Sequence, residues 1–214
     1  EGVSPAFVRA WLQLVQTPGY RRILVASRSF FLLPPGADLV AAYQAVFRGE
    51  AIDPQAVSTW ETSEWVRDPA VVRRWSTRML LGRDYLERAL DNEKPGPGPD
   101  LSQEQALDLC ARLIDRLERD ANFELAITDV DLGPFNIYAV DGQGGLIERL
   151  PERRGRESTP RVGLWVGGPE TSAPVAGLID RLWESLPEID RSREAVVVWL
   201  RRQQAEAGER NPAR

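Results

Sequence analysis

Two aspartates spaced two residues apart are the sharpest polar feature of the sequence. Asp129 and Asp131 follow an apolar segment, 123–128, that is predicted to be a β-strand. Two carboxylates at the end of a strand can hold a divalent cation, as enzymes that transfer phosphoryl or nucleotidyl groups require. Asp is also common where a strand enters a turn, and Gly133-Pro134 follow directly. The pair therefore supports two interpretations, a metal site and a polar turn, and the sequence offers no obvious third ligand.

Three arginines further along the chain are candidates for binding an anion. Arg153, Arg154 and Arg156 lie in a predicted loop that contains Pro, Gly and Ser. Guanidinium groups hold phosphate or carboxylate through bidentate hydrogen bonds. Glu152 and Glu157 are neighbours of these arginines, so pairing with the two acids is the competing expectation.

The residue types that are missing exclude several classes of enzyme. The chain has no histidine and a single cysteine, Cys110. Catalysis by a Ser-His-Asp or Cys-His arrangement is therefore excluded, as are a zinc site made of Cys and His and a disulfide within the chain. Neither a GxxxxGK[ST] phosphate loop nor a GxGxxG fingerprint occurs. We expect no cofactor and no enzymatic activity, with a metal-dependent transferase or hydrolase using Asp129 and Asp131 as the alternative.

The composition is that of an ordinary globular protein. Of the 214 residues, 43% are hydrophobic and 28% charged, and the net charge of −5 argues against a surface devoted to nucleic acid. No apolar run is long enough to cross a membrane. One cysteine and no signal peptide predict a cytoplasmic location. The chain begins with Glu1 rather than Met, so we expect a segment that precedes it.

Hydrophobic periodicity predicts mainly helices in the first part of the chain and strands in the second. The pattern up to residue 91 predicts a helix from residue 5, a strand over 23–33, a short helix over 37–47 and helical stretches over 57–65 and 72–90. The pattern after residue 100 predicts a helix with an apolar stripe from Leu107 to Leu117, strands over 123–128, 135–140, 146–150 and 162–166, and helices over 175–186 and 191–204. The segment from Asp141 to Gly145 is typical of a hairpin turn.

A Pro/Gly-rich segment suggests how the chain is divided. Pro and Gly alternate over 95–99 and cannot continue a helix or a strand. We therefore predict a mainly helical lobe over 1–91, a linker over 92–100, an α+β sensor-like lobe over 101–205 and a flexible tail over 206–214. The predicted fold class is α+β, with a helical N-terminal half that has one early strand, then a mainly antiparallel sheet flanked by helices. The early strand either joins the later sheet or belongs to the helical lobe.

The predicted hairpin resembles one found in small-ligand sensor domains. Residues 135–142 (Phe-Asn-Ile-Tyr-Ala-Val-Asp-Gly) return through Leu146-Ile147-Glu148, a pattern similar to that of PAS, Cache and GAF domains. The resemblance implies a ligand on the concave face of an antiparallel sheet, lined by aromatic and arginine side chains, here Phe135, Tyr138, Arg149 and Trp165. The competing expectation is that Tyr138 packs in the core.

Both ends of the chain resemble parts of bacterial transcriptional regulators. Gly2-Val3-Ser4-Pro5 and the helix after it look like the junction that follows an Xre-type helix-turn-helix domain, and residues 162–183 are similar to the closing segment of sensor domains in such regulators. The resemblance implies a non-enzymatic ligand-sensing or dimerisation domain with a small-molecule or protein effector. It also implies a homodimer, whose face we predict to be an apolar stripe on a terminal helix, and DNA contact only through an N-terminal domain. A structural interaction module is a further alternative.

Overall fold

A six-stranded β-sheet organises the molecule. The computed structural model describes residues 19–25, 76–91, 103–130, 135–149, 153–154, 157–158 and 162–210, and the structural statements below concern these residues. The strands of the sheet are β1 (Arg21–Val25), β2 (Thr77–Gly82), β3 (Phe123–Thr128), β4 (Phe135–Val140), β5 (Gly144–Arg149) and β8 (Val162–Gly167), and a separate hairpin consists of β6 (Arg153–Arg154) and β7 (Glu157–Ser158). The helices are α1 (Arg83–Leu90), α2 (Gln103–Arg119), α3 (Pro169–Ser185), α4 (Glu188–Arg191) and α5 (Arg193–Arg210). The order of strands across the sheet is β3-β2-β1-β4-β5-β8.

The sheet is mixed, with a parallel half and an antiparallel half. β1, β2 and β3 run parallel to one another, whereas β4, β5 and β8 join through antiparallel pairs. The run Met79-Leu80-Leu81 in β2 is buried on both faces, as is typical of a strand between two parallel neighbours. The α+β class is confirmed, and the prediction of a mainly antiparallel sheet holds for only one half.

Helices cover both faces of the sheet and create two apolar cores. On one face, Met79, Leu81 and Tyr138 belong to a core that also contains buried side chains of α1, α2 and α5. On the other face, Leu80, Ala126 and Ile137 pack with Ile179 and Trp183 of α3. Side chains that alternate along a strand therefore point into different cores.

The prediction of a helix over 72–90 is wrong for residues 77–82. Thr77–Gly82 is strand β2, and only Arg83–Leu90 is helical. Apolar residues at 79, 86 and 90 fit a helical spacing, but a short apolar run is equally typical of a buried strand. The helix α1 consequently begins directly at the carboxyl end of β2.

Segments from both sides of the predicted linker share one sheet and one core. β1 and β2 lie between β3 and β4, although they come from the predicted N-terminal lobe. The larger core extends along the chain from Ile23 to Ala207. The early strand therefore belongs to the later sheet, and residues 92–100 do not separate two independent lobes.

Several predicted elements of the second half are confirmed. β3 and β4 have the predicted bounds, and β5 and β8 lie within two residues of theirs. The turn between β4 and β5 uses Gly142 with φ 70°, a left-handed conformation that glycine adopts easily. The helices predicted from residue 5, over 37–47 and over 57–65 lie outside the described residues. Among the helices that are described, none is both long and apolar enough to cross a membrane.

The last helix differs from the prediction in its length and in what it exposes. α5 continues to Arg210, so residues 206–210 belong to a helix rather than to a flexible tail. Ala207 is fully buried, and its carbonyl oxygen accepts a 3.3 Å hydrogen bond from the Gln103 side chain. Val196, Val197 and Leu200 are buried in the chain's own core. The apolar stripe of α5 that these residues form is therefore covered within the chain, whereas Val198 is 65% exposed.

Candidate functional site

Polar side chains from four strands, or from the residues that follow them, lie at the end of the sheet where the parallel strands β1, β2 and β3 finish. We refer to this end as the carboxyl edge. In open α/β sheets, ligands bind beyond the carboxyl ends of the parallel strands. At this edge β2 leads into Arg83 and β3 leads into Asp129. Because β4 is antiparallel to β1 and pairs Asn136 with Val25, it begins at the same edge. β5 ends there, with Glu148 opposite Asn136.

A buried carboxylate lies at this edge on β5, the strand next to β8. Glu148 is 1% exposed, and one of its oxygens, Oε2, accepts hydrogen bonds from Asn136 Nδ2 at 3.2 Å and from the Tyr138 hydroxyl at 3.4 Å. Asn136 and Tyr138 are buried as well. Acidic residues are almost never fully buried unless they are paired. We refer to Asn136, Tyr138 and Glu148 as the Glu148 cluster.

The strand register explains why these three side chains meet. Asn136 and Tyr138 are two residues apart on β4 and therefore lie on one face, and Glu148 is the cross-strand partner of Asn136. These hydrogen bonds offset part of the free-energy cost of burying the carboxylate. The amide and the phenol therefore help to hold the carboxylate in one orientation.

The predicted metal ligand Asp129 is engaged by an arginine. Arg83 donates from Nε to Asp129 Oδ1 at 2.7 Å and from Nη2 to Asp190 Oδ1 at 2.8 Å, and its guanidinium lies 5.0 Å from the centre of the Trp199 ring. Asp131 lies outside the described residues. Within the described part of the chain, no group of three or more Asp, Glu or Cys side chains is arranged to hold a metal ion.

The side chains predicted to line a ligand site fall on two faces of the sheet. Phe135 and Arg149 are cross-strand partners, on the face covered by α3. Tyr138 and Trp165 lie on the opposite face, and Leu146 of β5 separates them. Of the four, Tyr138 belongs to the Glu148 cluster, through its hydrogen bond to Glu148.

Two of the arginines predicted to bind an anion lie on the small hairpin. Arg153 is opposite Ser158 and Arg154 is opposite Glu157 in the β6–β7 pair. The backbone therefore places Arg154 beside one of the acids that the sequence offered as a competing partner. Arg156 lies outside the described residues.

A charged network at the opposite edge of the sheet was not predicted. Arg22 and Arg78 are neighbours on β1 and β2, and Asp180 of α3 lies between them. Arg22 Nε is 2.6 Å from Asp180 Oδ2, and Arg78 Nη1 is 3.1 Å from Asp180 Oδ1. Arg22 also pairs with Asp141, and Arg78 pairs with Glu124 at 3.0 Å. We refer to Arg22, Arg78 and Asp180 as the α3 clamp, because these contacts hold the helix against the sheet.

Aromatic rings complete the α3 clamp. Tyr20 donates a 2.8 Å hydrogen bond from its hydroxyl to Glu124, and its ring lies 4.7 Å from the Arg22 guanidinium. Burial of Tyr20, together with this bond to Glu124, raises the pKa of the phenol. The Arg78 guanidinium lies 4.7 Å from the Trp183 ring. Because three carboxylates face two arginines, the network carries a net negative charge and does not attract an anion.

Sequence reasoning missed the Glu148 cluster, although the predicted hairpin contained a usable signal. Counting outward from the turn at Gly142 pairs Asn136 with Glu148 and places both on the same face as Tyr138. Two polar residues opposite each other on an otherwise apolar face indicate a buried polar pair. The contacts of the α3 clamp join β-strands to α3 across more than a hundred residues of sequence and have no comparable local signal.

Comparison with known proteins gives no family assignment. The chain matches no protein-family model and no curated protein. Its function is therefore argued from the residues and their geometry.

Proposed function

We propose that the chain is a non-enzymatic ligand-sensing or dimerisation domain of a cytoplasmic transcriptional regulator, in which a separate N-terminal domain contacts DNA. The observation that carries the sensing function is the buried Glu148 cluster at the carboxyl edge of the parallel strands. A ligand that binds there regulates the protein only if it binds one of two states more tightly than the other.

The chemistry of the cluster favours a cationic effector. The Glu148 carboxylate is already oriented by Asn136 and Tyr138, and a charged hydrogen bond is stronger at a buried site because water does not compete. Tyr138 is paired with Ile23 on one side and Leu146 on the other, so the cluster adjoins the buried apolar core. We therefore expect a small molecule that carries an amino, amidino or guanidino group.

A thermal-shift experiment tests this proposal with defined probes. Benzamidine, agmatine and spermidine serve as cationic probes, and benzoate is the anionic counterpart of benzamidine. A ligand at 100 times its Kd stabilises a protein by about 2.7 kcal/mol, which corresponds to a Tm increase of about 5–11 °C for a chain of this length. We expect at least one cationic probe to raise the Tm and benzoate to leave it unchanged.

Matched variants show whether the response belongs to Glu148. Glu148→Gln keeps the shape of the side chain and removes its charge, and we expect it to abolish the shift. Glu184→Gln makes the same change on an exposed position of α3 and is expected to respond like the wild type. Circular dichroism of both variants serves as the control that they remain folded. A wild type insensitive to all cationic probes, or a Glu148→Gln variant with the full response, would contradict the proposal.

The metal-dependent alternative has less support. A cation bound to Asp129 would share the carboxylate with the Arg83 guanidinium, whose positive charge opposes cation binding. A Tm that rises with Mg²⁺ or Mn²⁺, and no longer does so in Asp129→Asn, would favour this alternative over a sensor. A Tm that is independent of both ions would remove it.

A further inference from the structure

The two edges of the sheet are protected to very different degrees. β3 forms one edge, and α4 and α5 pack against it. Arg193 at the start of α5 donates to backbone carbonyls there, including that of Phe123 at 2.9 Å and that of Asp120 at 3.2 Å. An edge covered in this way does not recruit another strand.

The other edge, β8, carries exposed apolar side chains on both faces. Leu164 is 59% exposed on the α3 side of the sheet, and Trp165 is 39% exposed on the opposite side. Leu178 on α3 is exposed as well. The strand Val162–Gly167 has no charged residue and no proline, which are the features that normally keep an edge strand from pairing. Among the described residues, β5 is the only strand that pairs with β8.

The hydrogen-bond pattern determines which backbone groups of β8 point outward. Gly168 donates to the carbonyl of Gln143 at 3.0 Å, so the bonded pairs between β5 and β8 fall at even-numbered residues of β8. The N–H and C=O groups of Gly163, Trp165 and Gly167 therefore point away from β5. These are the groups that a further strand would bond.

The sequence of this edge is symmetric about Trp165. Glycine lies two residues before and two residues after the tryptophan, at Gly163 and Gly167. In an antiparallel pair of two copies centred on Trp165, each Gly163 lies opposite Gly167 of the other copy, and all of these residues have outward-pointing backbone groups. An interface in which each strand meets an identical strand is the kind that a two-fold axis creates.

Two glycines without side chains leave the space that the Trp165 indole occupies. A Cβ atom on Gly144 would be 3.2 Å from Trp165 Cζ2, and one on Gly167 would be 3.3 Å from Trp165 Nε1. The indole therefore lies over these two glycines and still exposes part of its surface. In the symmetric pair, the two Trp165 side chains are cross-strand neighbours on the same face, a position at which aromatic pairs stabilise sheets.

We propose that β8 pairs with β8 of a second copy of the chain, in an antiparallel arrangement centred on Trp165, so that two six-stranded sheets form one continuous sheet. This interface is separate from the Glu148 cluster and does not depend on a ligand. It replaces the covered stripe on α5 as the dimer face.

The size of the interface indicates a dimer of modest affinity. A six-residue strand is about 20 Å long. Trp165, at 39% exposure, offers about 60–100 Å² of the 150–250 Å² that an aromatic side chain can bury. Even with Leu164 and Leu178, the exposed apolar side chains of this edge cover well below the about 800 Å² per partner of a standard interface. We therefore expect dissociation on dilution in the micromolar range.

Sedimentation equilibrium across the micromolar range tests the dimer. We expect the wild-type mass to rise with concentration from 24.0 kDa toward twice that value. Leu164→Lys places a charge on the proposed edge and should remain at the monomer mass. Ile189→Lys is the matched control, because Ile189 on α4 is 71% exposed near the opposite edge, and it should dimerise like the wild type. A wild type that stays monomeric, a Leu164→Lys variant that still dimerises, or an Ile189→Lys variant that does not, would overturn the proposal.

A cysteine cross-link tests the register. Residues directly opposite each other in a hydrogen-bonded antiparallel pair have Cα atoms about 5.5 Å apart, within the range of a disulfide. Trp165→Cys is therefore expected to form a covalent dimer on mild oxidation, and Ile189→Cys is expected to remain uncrosslinked. The native Cys110 is buried and does not interfere. A wild type that dimerises while Trp165→Cys forms no covalent dimer would overturn the proposed pairing.

Discussion

Removal of the Asp180 carboxylate is expected to destabilise the fold by loosening α3 from the sheet. Asp180 accepts hydrogen bonds from Arg22 at 2.6 Å and from Arg78 at 3.1 Å, so it joins both arginines to α3. In Asp180→Ala, Arg22 retains Asp141 and Arg78 retains Glu124. Each guanidinium therefore loses one carboxylate and keeps one.

The magnitude follows from these contacts. A hydrogen bond to a charged group contributes about 1.5–3 kcal/mol, and breaking a fully buried ion pair costs about 3–5 kcal/mol. The Asp180 side chain is 25% exposed, and solvent and the remaining carboxylates compensate for part of the loss. We expect Asp180→Ala to lower the free energy of unfolding by about 2–3 kcal/mol and the Tm by about 4–12 °C.

Urea unfolding followed by circular dichroism measures the effect. Glu184→Ala, on an exposed position one turn further along α3, is the matched control and should change the free energy of unfolding by less than about 0.5 kcal/mol. A double-mutant cycle with Arg78→Met should give a coupling energy of about 1 kcal/mol or more with Asp180→Ala. If Asp180→Ala differs from wild type no more than the control does, the clamp contributes no net stability and the reasoning is refuted.

Two further predictions concern Cys110 and two glycines. Burial raises the pKa of the Cys110 thiol from 9.0 to about 12. Above pH 9 the thiol therefore ionises in the unfolded chain but not in the folded one. The contribution of Cys110 to the free energy of unfolding should then fall by up to about 1.4 kcal/mol per pH unit. Urea titrations below and above pH 9 should show this loss in the wild type but not in Cys110→Ala, and identical pH profiles would argue against it. Gly208→Ala in α5 should raise the free energy of unfolding by about 0.5–1 kcal/mol, because its Cβ meets open space. Gly145→Ala should lower it, because its Cβ would lie 2.7 Å from the Tyr138 carbonyl oxygen, and the reverse order of the two variants would refute this argument.

The parts of the fold that sequence predicts well are those with a local cause. β3 and β4 were predicted to the residue, because their alternating or apolar runs are bounded by turn residues such as Gly142. β2 was assigned to a helix, because a short apolar run fits both periods and its burial depends on strands that are distant in sequence. The predicted lobe boundary failed for a related reason, since the pairing of β1 with β4 crosses it.

The candidate site residues also differ in whether local sequence or distant strand pairing determines what they contact. Asp129 was singled out because two aspartates are close in sequence, but its partner is Arg83, which follows another strand. The buried state of Glu148 follows from the packing of the whole sheet, and the alternation along β5 alone does not distinguish it from an exposed residue. Phe135 and Trp165 were grouped by type, and the register places them on different faces. Residue type therefore suggested candidate chemistry, and strand register decided which side chains meet.

A single strand connects the two proposals. Glu148 on β5 is opposite Asn136 of β4 on one side and opposite Gly163 of β8 on the other. A ligand that displaces β5 therefore acts on the strand next to the proposed dimer edge, without an intervening element. Since coupling between two binding equilibria is reciprocal, such a ligand changes dimer affinity only by the ratio of its own affinities for monomer and dimer. The Glu148 cluster and the β8 edge are thus distinct sites, and sensing would consist of the difference in ligand affinity between monomer and dimer.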